Sequence, residues 1–369
     1  MSPHFLSPMH DSKMRIGLDA RPLSGKVTGI GRYVLEILHC MSEQLPNAQW
    51  VLYSRTELGV KLPPGNWELV VDRHPIWRRI PGVIWIKTRL PSLMRDGCLD
   101  VFWATATLAP RTPLPIVSTV HDLNHILVPE TMPAVNRWGY AMWFAKDVCT
   151  AAQVVCNSEG TATRLKELIG RQTDAIARPG AQWTHMGQSD VPAAVGEPYV
   201  LTVATREPRK NLNNLIEAFA LLKSQGRLSN HVLVLAGGSG WGKELKALRD
   251  GRPAWLRELG YVADEQMAAL FANAQVLAQP SIYEGFGMPA AEAAAFGTRV
   301  VATDIPELRE AAGSAGVFVG TGVSDIAQGI LRALEMPRPA PYRGNSWSGA
   351  AEATALALKR AVAGARTAA

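Results

Sequence analysis

Cysteine is scarce in this 369-residue chain, and the four present (Cys40, Cys98, Cys149, Cys156) form no C-x-x-C pair and no zinc-like spacing. That pattern excludes a disulfide scaffold and a structural zinc site, and leaves reduced thiols as the simplest state. Long hydrophobic runs are also missing: none approaches the roughly 20 apolar residues of a membrane-spanning helix. The first dozen residues are polar and proline-broken, unlike a signal peptide, so a cytoplasmic chain is expected. There is no internal repeat and no low-complexity tract beyond alanine enrichment near the C-terminus. An apolar content of 47% with 19% charged residues excludes intrinsic disorder. The length suffices for two domains, each with its own core.

Short apolar runs alternate with helical patterns. Strands are expected at Met14–Leu18, Trp50–Tyr53, Glu68–Val71, Val101–Trp103, Ile116–Val120 and Gln153–Cys156. A helix is expected over Gly29–Met41, with Ile30, Val34, Ile37, Leu38 and Met41 on its apolar face. Another follows the capping pair Asn157-Ser158 and turns Leu165, Leu168 and Ile169 inward. The periodicity lapses between Gly180 and Pro198, which reads as a linker. A second series follows: strands at Tyr199–Ala204, His231–Ala236, Leu259–Val262, Ala274–Gln279, Arg299–Thr303 and Val317–Val319, with helices at Asn211–Lys223, Asp264–Ala272 and Pro289–Phe296. Such alternation implies the α/β class, with two doubly wound parallel sheets in tandem and a ligand cleft between facing strand C-termini. A last helix is expected over Ser348–Ala363.

The densest chemical signal is Pro280-Ser-Ile-Tyr-Glu-Gly-Phe-Gly-Met-Pro-Ala-Ala-Glu-Ala293, in which seven residues separate Glu284 from Glu292. Pro289 suits the first turn of a helix and Gly297 the position past its end. Glu284 then lies in the preceding loop and Glu292 about one turn inside, leaning back toward the same cleft. Gly285 and Gly287 let backbone N–H groups approach a ligand, and a helix N-terminus favours phosphate. The combination reads as a phosphate seat flanked by two hydroxyl-binding acids, as a nucleotide sugar requires. Taken alone, it reads equally as a surface loop before an alanine-rich helix. A second element is Arg206 and Lys210, which follow the strand Tyr199–Ala204 just before Asn211 opens a helix, a natural diphosphate clamp. Arg209 is an alternative cation.

This constellation resembles the signature of retaining glycosyltransferases of family 4, which have the two-domain GT-B fold. Further segments carry the likeness: Arg15-Ile-Gly-Leu-Asp-Ala-Arg-Pro-Leu23, Thr28-Gly-Ile-Gly-Arg-Tyr33, Thr205-Arg-Glu-Pro-Arg-Lys-Asn-Leu212 and Ser346-Trp347. The resemblance implies an acceptor-binding domain over residues 1–190, a nucleotide-sugar domain over 191–345, and a final segment, 346–369, that crosses back onto the first. It implies that Arg206 and Lys210 neutralise the departing diphosphate, Glu292 holds the ribose hydroxyls, Glu284 contacts the donor sugar, and His121 lies beside that sugar. Gly285, Phe286, Gly287 and Met288 complete the donor side.

Other candidates rest on position. His121-Asp122 directly follows a strand and should point into the cleft, although a buried structural histidine is the commoner role for such a residue. Asp19, Gly29, Gly31, Tyr33 and Asp122 are candidates for the acceptor side. The glycine run Gly237-Gly-Ser-Gly-Trp-Gly-Lys243 nearly matches a P-loop, but Glu244 replaces the metal-holding Ser/Thr. We therefore read it as a turn bordering the nucleotide, with Gly238 near the donor and the Tyr261-Val262 backbone near the base. No D-x-D triplet occurs. With Arg206 and Lys210 standing in for a divalent ion, the expectation is catalysis without metal or other cofactor.

Charge is unevenly placed. The net charge is +6, and residues 73–95 hold six basic side chains (Arg73, Arg78, Arg79, Lys87, Arg89, Arg95) and no acidic one. Interleaved with Ile76, Trp77, Ile80, Val83, Ile84, Trp85 and Ile86, they suit a surface that meets anionic lipid headgroups at the inner face of a membrane. A core helix with solvated arginines fits equally well. No nucleic-acid-binding motif accompanies the charge. The resemblance is greatest to bacterial O-antigen and exopolysaccharide mannosyl- or rhamnosyltransferases. It therefore implies transfer of a hexose, with GDP-mannose as first donor, to a saccharide acceptor carried on a lipid. The alternatives are a UDP-sugar donor, an epimerase or phosphorylase of the same architecture, and a non-catalytic nucleotide-sugar-binding protein.

Overall fold

The computed structural model describes residues 13–368 except Lys26, residues 182–194, Ser239, residues 241–244 and 246–250, and Arg343. The expected linker and the segment from Trp241 to Glu244 thus lie wholly or largely outside the described residues.

Two parallel sheets organise the chain. The first contains β1 (Arg15–Asp19), β2 (Gln49–Ser54), β3 (Trp67–Val71), β4 (Val101–Ala104), β5 (Ile116–Val120), β6 (Gln153–Cys156) and β7 (Ala175–Ile176), in the spatial order β3-β2-β1-β4-β5-β6-β7. The second contains β8 (Tyr199–Val203), β9 (Val232–Ala236), β10 (Leu256–Gly260), β11 (Val276–Gln279), β12 (Arg299–Thr303) and β13 (Gly316–Val319), in the order β10-β9-β8-β11-β12-β13. Central strands such as Val232–Ala236 are apolar and buried at every residue, because helices cover both faces. The α/β, doubly wound expectation is met in both halves.

In the first half the helices are α1 (Gly29–Gln44), α2 (Pro75–Arg79), α3 (Gly82–Thr88), α4 (Leu90–Leu93), α5 (Asn124–Leu127), α6 (Ala134–Thr150) and α7 (Glu159–Ile169). The second half has α8 (Leu212–Ser224), α9 (Asp264–Asn273), α10 (Met288–Ala295), α11 (Pro306–Ala312) and α12 (Val323–Glu335). The last helix, α13 (Trp347–Ala368), returns to the first sheet. Its buried Ala351, Ala355, Leu358 and Val362 share a core with Val34, Ile37 and Leu38 of α1. Alanines allow this close approach because no long side chain separates the helix axes.

Local rules account for most boundaries. Ser158 caps α7 by accepting a hydrogen bond from the Thr161 N–H at 2.9 Å, and Gly170 ends the helix in the left-handed region at φ 76°. Leu165 is buried there, but Leu168 is 45% exposed, so the expected inward stripe is narrower than it looked. The expected strand Leu259–Val262 is shifted: β10 spans Leu256–Gly260. Its pairing to β9 breaks register between Glu258 and Gly260, and Gly260 turns at φ 67°, leaving Tyr261 and Val262 beyond the strand. Helix α6 escapes a reading of apolar periodicity because Val135, Trp138 and Met142 point outward, each about half exposed.

Candidate active site

In each sheet the chain reverses its winding at one place, between β1 and β4 in the first and between β8 and β11 in the second. Loops leaving the carboxyl ends of such strands diverge and open a crevice. The site residues come from these loops and from the loop after β5. Glu284 follows β11, Arg209 and Lys210 follow β8, His121 follows β5, and Asp19 ends β1.

Glu284 is the centre of the second domain's loops. Its Oε1 accepts from Lys210 Nζ at 2.6 Å, Ser281 Oγ at 2.8 Å and Gln279 Nε2 at 2.9 Å, and its Oε2 accepts from Arg209 Nη1 at 2.8 Å. The turn Pro208–Lys210 is brought there by the Ile282 N–H, which donates to the Arg209 carbonyl at 2.8 Å, and by Asn211 Nδ2, which donates to the Pro280 carbonyl at 3.1 Å. Burial pushes the Glu284 carboxyl up, but the charges of Lys210 and Arg209 and the hydrogen bonds from Lys210 and Gln279 outweigh it. The group is held well below the usual carboxylate range. Glu284 is therefore a fixed anion, unsuited to donating a proton. Oε2 carries a single donor and keeps capacity for another.

The same network shows what the sequence left open. Arg209 touches Glu284, whereas Arg206 is drawn aside into an ion pair with Glu258, which Arg252 also contacts at 2.8 Å. Glu207, assigned no role from the sequence, orients Arg209: its Oε2 accepts from Arg209 Nε at 2.8 Å and its Oε1 from Thr205 Oγ1 at 2.6 Å. Burial pushes the Arg209 guanidinium down, but Glu284 and Glu207 more than offset this and raise it. Burial and the adjacent Arg209 charge lower the Lys210 ammonium despite its contact with Glu284. The motif spacing could not separate Arg206 from Arg209; the intervening acid, Glu207, was the available signal.

Helix α10 is preceded by the cap residue Gly287, whose φ of 105° favours glycine and whose Cβ would lie 2.5 Å from Leu308. Glu292 is buried one turn inside it. Phe286, expected on the donor side, packs its side chain into the core at 2% exposure. Gly238 accepts the Arg206 N–H at 3.4 Å, which ties the glycine turn to the cationic loop. Tyr261 stands 58% exposed beyond β10, and the adjacent Val262 is buried.

On the first domain, His121 is buried and its Nε2 lies 2.7 Å from the Thr105 carbonyl. That contact is made by an Nε2–H tautomer, assigned from the geometry. Burial lowers its pKa, with the Thr105 contact and Asp122 opposing, so the ring is neutral at physiological pH. Asp122 forms a local turn with the Asn124 N–H at 3.1 Å and sits beside Gly285. Three of the acceptor-side candidates are buried. Tyr33 is buried behind His121, edge-on at 4.9 Å, and its hydroxyl donates to the Ala177 carbonyl at 2.9 Å. The Asp19 side chain is fully buried and bound by Arg21 at 2.8 and 2.7 Å, and Arg21 is itself mostly buried, over the Trp85 ring. Gly31 is needed for packing, because a Cβ would lie 2.1 Å from the Pro22 carbonyl. Gly29, in contrast, is exposed and faces Met288 of the other domain.

The basic segment divides. Trp85 is buried and donates to Asp72 at 2.9 Å, Arg89 pairs with Asp72 at 3.2 Å, and Lys87 is buried in an ion pair with Asp147. The α2 part remains a surface, with Ile76 54% exposed between exposed Arg73, Arg78 and Arg79, and Arg95 is exposed beyond α4. No helix among the described residues is long and apolar enough to cross a membrane. No cluster of three or more His, Cys, Asp or Glu side chains capable of holding a metal ion is found among them.

Comparison with known proteins agrees with this geometry. Residues 188–346 match the family model described as glycosyl transferases group 1. The O-antigen chain mannosyltransferase B of Escherichia coli is 27% identical over 93% of this chain and 94% of its own length. Among solved structures, sucrose-phosphate synthase from Thermosynechococcus elongatus superposes with a TM-score of 0.68 at 17% identity, covering 96% of this chain and 98% of that one. Anabaena Alr3699/HepE in complex with UDP-glucose gives 0.65 at 18% identity, covering 96% and 100%. The paired Rossmann-like sheets share the two-domain fold of these glycosyltransferase structures, and residues 188–346 carry the likeness to glycosyl transferases group 1.

Proposed function

We propose that the chain moves a hexose, with retention at the anomeric carbon, from a nucleoside diphosphate sugar to a saccharide acceptor carried on a lipid, in the synthesis of a bacterial surface polysaccharide. The observation that carries this reading is the buried Glu284 carboxylate held between Arg209 and Lys210 at the end of β11. Only one of the three ammonium donors of Lys210 goes to Glu284, so the others are available to a departing diphosphate. Fixed cations stabilise that leaving group electrostatically in a buried site. Glu292 takes the ribose hydroxyls and the open position on Glu284 Oε2 takes a sugar hydroxyl. Neutral His121, whose Nε2–H is used on the Thr105 carbonyl, offers Nδ1 as a hydrogen-bond acceptor on the opposite side of the sugar. Glu284 is already saturated with donors on one oxygen, so it is a poor covalent nucleophile. Same-face displacement assisted by the leaving phosphate is the consistent route.

Mannose from GDP-mannose is the first donor in this reading, supported by the mannosyltransferase named among the relatives. A UDP-sugar is the second, supported by the UDP-glucose complex of a structural neighbour. With Lys210 and Arg209 near the diphosphate position, the reading requires no divalent metal. For the acceptor's lipid, the exposed α2 surface supplies Arg78 and Arg79 beside Ile76 at an anionic membrane face. The decisive experiment is a thermal-shift panel of GDP, UDP, ADP and dTDP with and without EDTA. Ligand that binds only the folded state raises the melting point by mass action. A GDP shift unchanged by EDTA is expected. A UDP shift would replace the donor, loss of the shift in EDTA would overturn metal independence, and no shift with any nucleotide would overturn the transferase reading.

A further inference from the structure

The contacts of Glu284 described so far all come from its own domain, yet the next peptide is held from the other side. The carbonyl oxygen of Gly285 accepts from Ser158 Oγ at 2.7 Å and from Thr161 Oγ1 at 2.9 Å. Both hydroxyls belong to the N-terminus of α7 in the first domain, and both residues are fully buried. Two further contacts fix the same loop against that domain. The Leu123 N–H donates to the Tyr283 hydroxyl at 3.0 Å. Gly285 lies so close to the chain after β5 that a Cβ would come within 1.8 Å of the His121 carbonyl. The loop carrying Glu284 is thus wedged between the His121 turn and the first turn of α7.

These contacts divide the task of building the site. Charge state and local orientation of the Glu284 carboxylate are set by Arg209, Lys210, Gln279 and Ser281. None of those four donates a hydrogen bond to the first domain, and Arg209 reaches it only through the field of Asp122, so the distance between Glu284 and His121 needs a more directional contact. The Gly285 carbonyl does, through two neutral hydroxyl donors that use both of its lone pairs. Ser158 has a second duty as the cap of α7, but the Thr161 hydroxyl is bonded to Gly285 alone. Arg164–Glu307, at 2.5 Å, holds α7 against α11, and Arg178, in the chain after β7, pairs with Glu310 of α11 at 2.6 Å; neither pair reaches the Gly285 carbonyl.

We propose that Thr161, with Ser158, is a positioning residue that sets Glu284 in register with His121 across the domain boundary, so that the catalytic arrangement is complete only when α7 is docked on the acidic loop. This rests on the transferase reading above and adds a contribution from the first domain to donor-sugar alignment. The dependence is steep, because displacement of a reacting group by about 1 Å costs up to about 100-fold in rate.

The test is Thr161→Val, which keeps shape and removes one donor, with Thr161→Ser as the conservative partner and Arg178→Gln as a control for domain adhesion alone. Two readouts are taken on the full chain: kcat for donor turnover, and the extra thermal shift of GDP-mannose over GDP, which reports contacts to the sugar. In Thr161→Val we expect kcat to fall about tenfold, the sugar increment to shrink, and the shift by GDP itself to stay as in the wild type. Thr161→Ser should restore both, and Arg178→Gln should leave both unchanged while lowering the melting point. Wild-type kcat and sugar increment in Thr161→Val would overturn the proposal, as would an equal loss in Arg178→Gln. If UDP is the nucleotide bound, the same increment is read with UDP-glucose over UDP. A wild-type protein that binds no nucleotide would instead overturn the transferase reading, and the proposal with it.

Discussion

The crevice has two unlike walls. On the second domain the buried groups are charged and mutually paired: Glu207, Arg209, Glu284 and Lys210 form one chain of contacts. On the first, they are largely neutral and bound to backbone: His121 to Thr105, Tyr33 to Ala177, Thr107 Oγ1 to the Thr119 carbonyl at 2.8 Å. Asp19 and Arg21 are an exception, closed on each other. The difference matches what each wall meets in the proposed reaction. A departing diphosphate develops charge and calls for fixed dipoles and ions in a site of low dielectric. An acceptor hydroxyl is neutral and calls for directional hydrogen bonds.

Removing charge should therefore be far more damaging on one wall than on the other. Glu284→Gln keeps the shape and most hydrogen bonds but leaves Arg209 and Lys210 without their shared anion. Turnover is expected to fall about 10²–10³-fold, with nucleotide binding retained in the thermal shift. Asp19→Asn on the opposite wall should lower the melting point through the stranded Arg21, yet reduce turnover less than Glu284→Gln does. Comparable losses in the two variants, measured as kcat at saturating donor, would break the contrast.

Much of this was legible before any coordinates. Periodicity located both sheets to within a residue or two at most strands, because strands covered on both faces are written as unbroken apolar runs. His121 was singled out because it stands directly after such a run, and Glu284 and Lys210 by the spacing of Glu284 to Glu292 and by the cations that precede Asn211. What was not legible depends on contacts distant in sequence. Nothing near Thr161 announces its bond to a carbonyl 124 residues away. Tyr33 and Asp19 were placed near the acceptor by their neighbours in the chain, and tertiary packing turned both inward. Arg206 and Arg209 are separated only by Glu207 and Pro208, and which of them reaches Glu284 is set by the turn at Pro208–Lys210.

The segment from Arg73 to Arg95 repeats the contrast on a smaller scale. Composition made it uniform, whereas folding splits it into a paired inner part and an open outer part. Replacing Lys87 by Ser would strand Asp147 in the interior and test stability rather than membrane affinity. Arg78→Ser combined with Arg79→Ser removes only exposed charge. Sedimentation with anionic vesicles should drop about tenfold or more, given roughly 1 kcal/mol for each basic residue at such a surface. The melting point should stay unchanged. Equal sedimentation by the variant would mean that α2 does not meet lipid.

The smallest effect expected concerns acid stability, and it separates the walls by the pH window in which each loses its contribution. Burial lowers the His125 imidazole from 6.5 to about 4, against a modest opposing pull from Asp122, and the ring packs 4.2 Å from Phe144 and 5.4 Å from Tyr140. His121 is lowered in the same direction. In the unfolded chain these rings take up protons as pH falls through 6.5, while the folded chain keeps His125 neutral down to about 4. Stability from this source is therefore complete above pH 6.5 and declines as pH falls through that window. Glu284 behaves otherwise: its depressed carboxyl keeps its contribution until pH falls below the ordinary carboxylate range. Acid between pH 6.5 and 4 should thus loosen the first domain while the Glu284 network stays ionised. Scanning the melting point across that interval for wild type and His125→Phe measures this directly. The substitution should flatten the decline by about 2–4 °C, and an identical slope in both proteins would show that His125 is not among the groups that resist protonation.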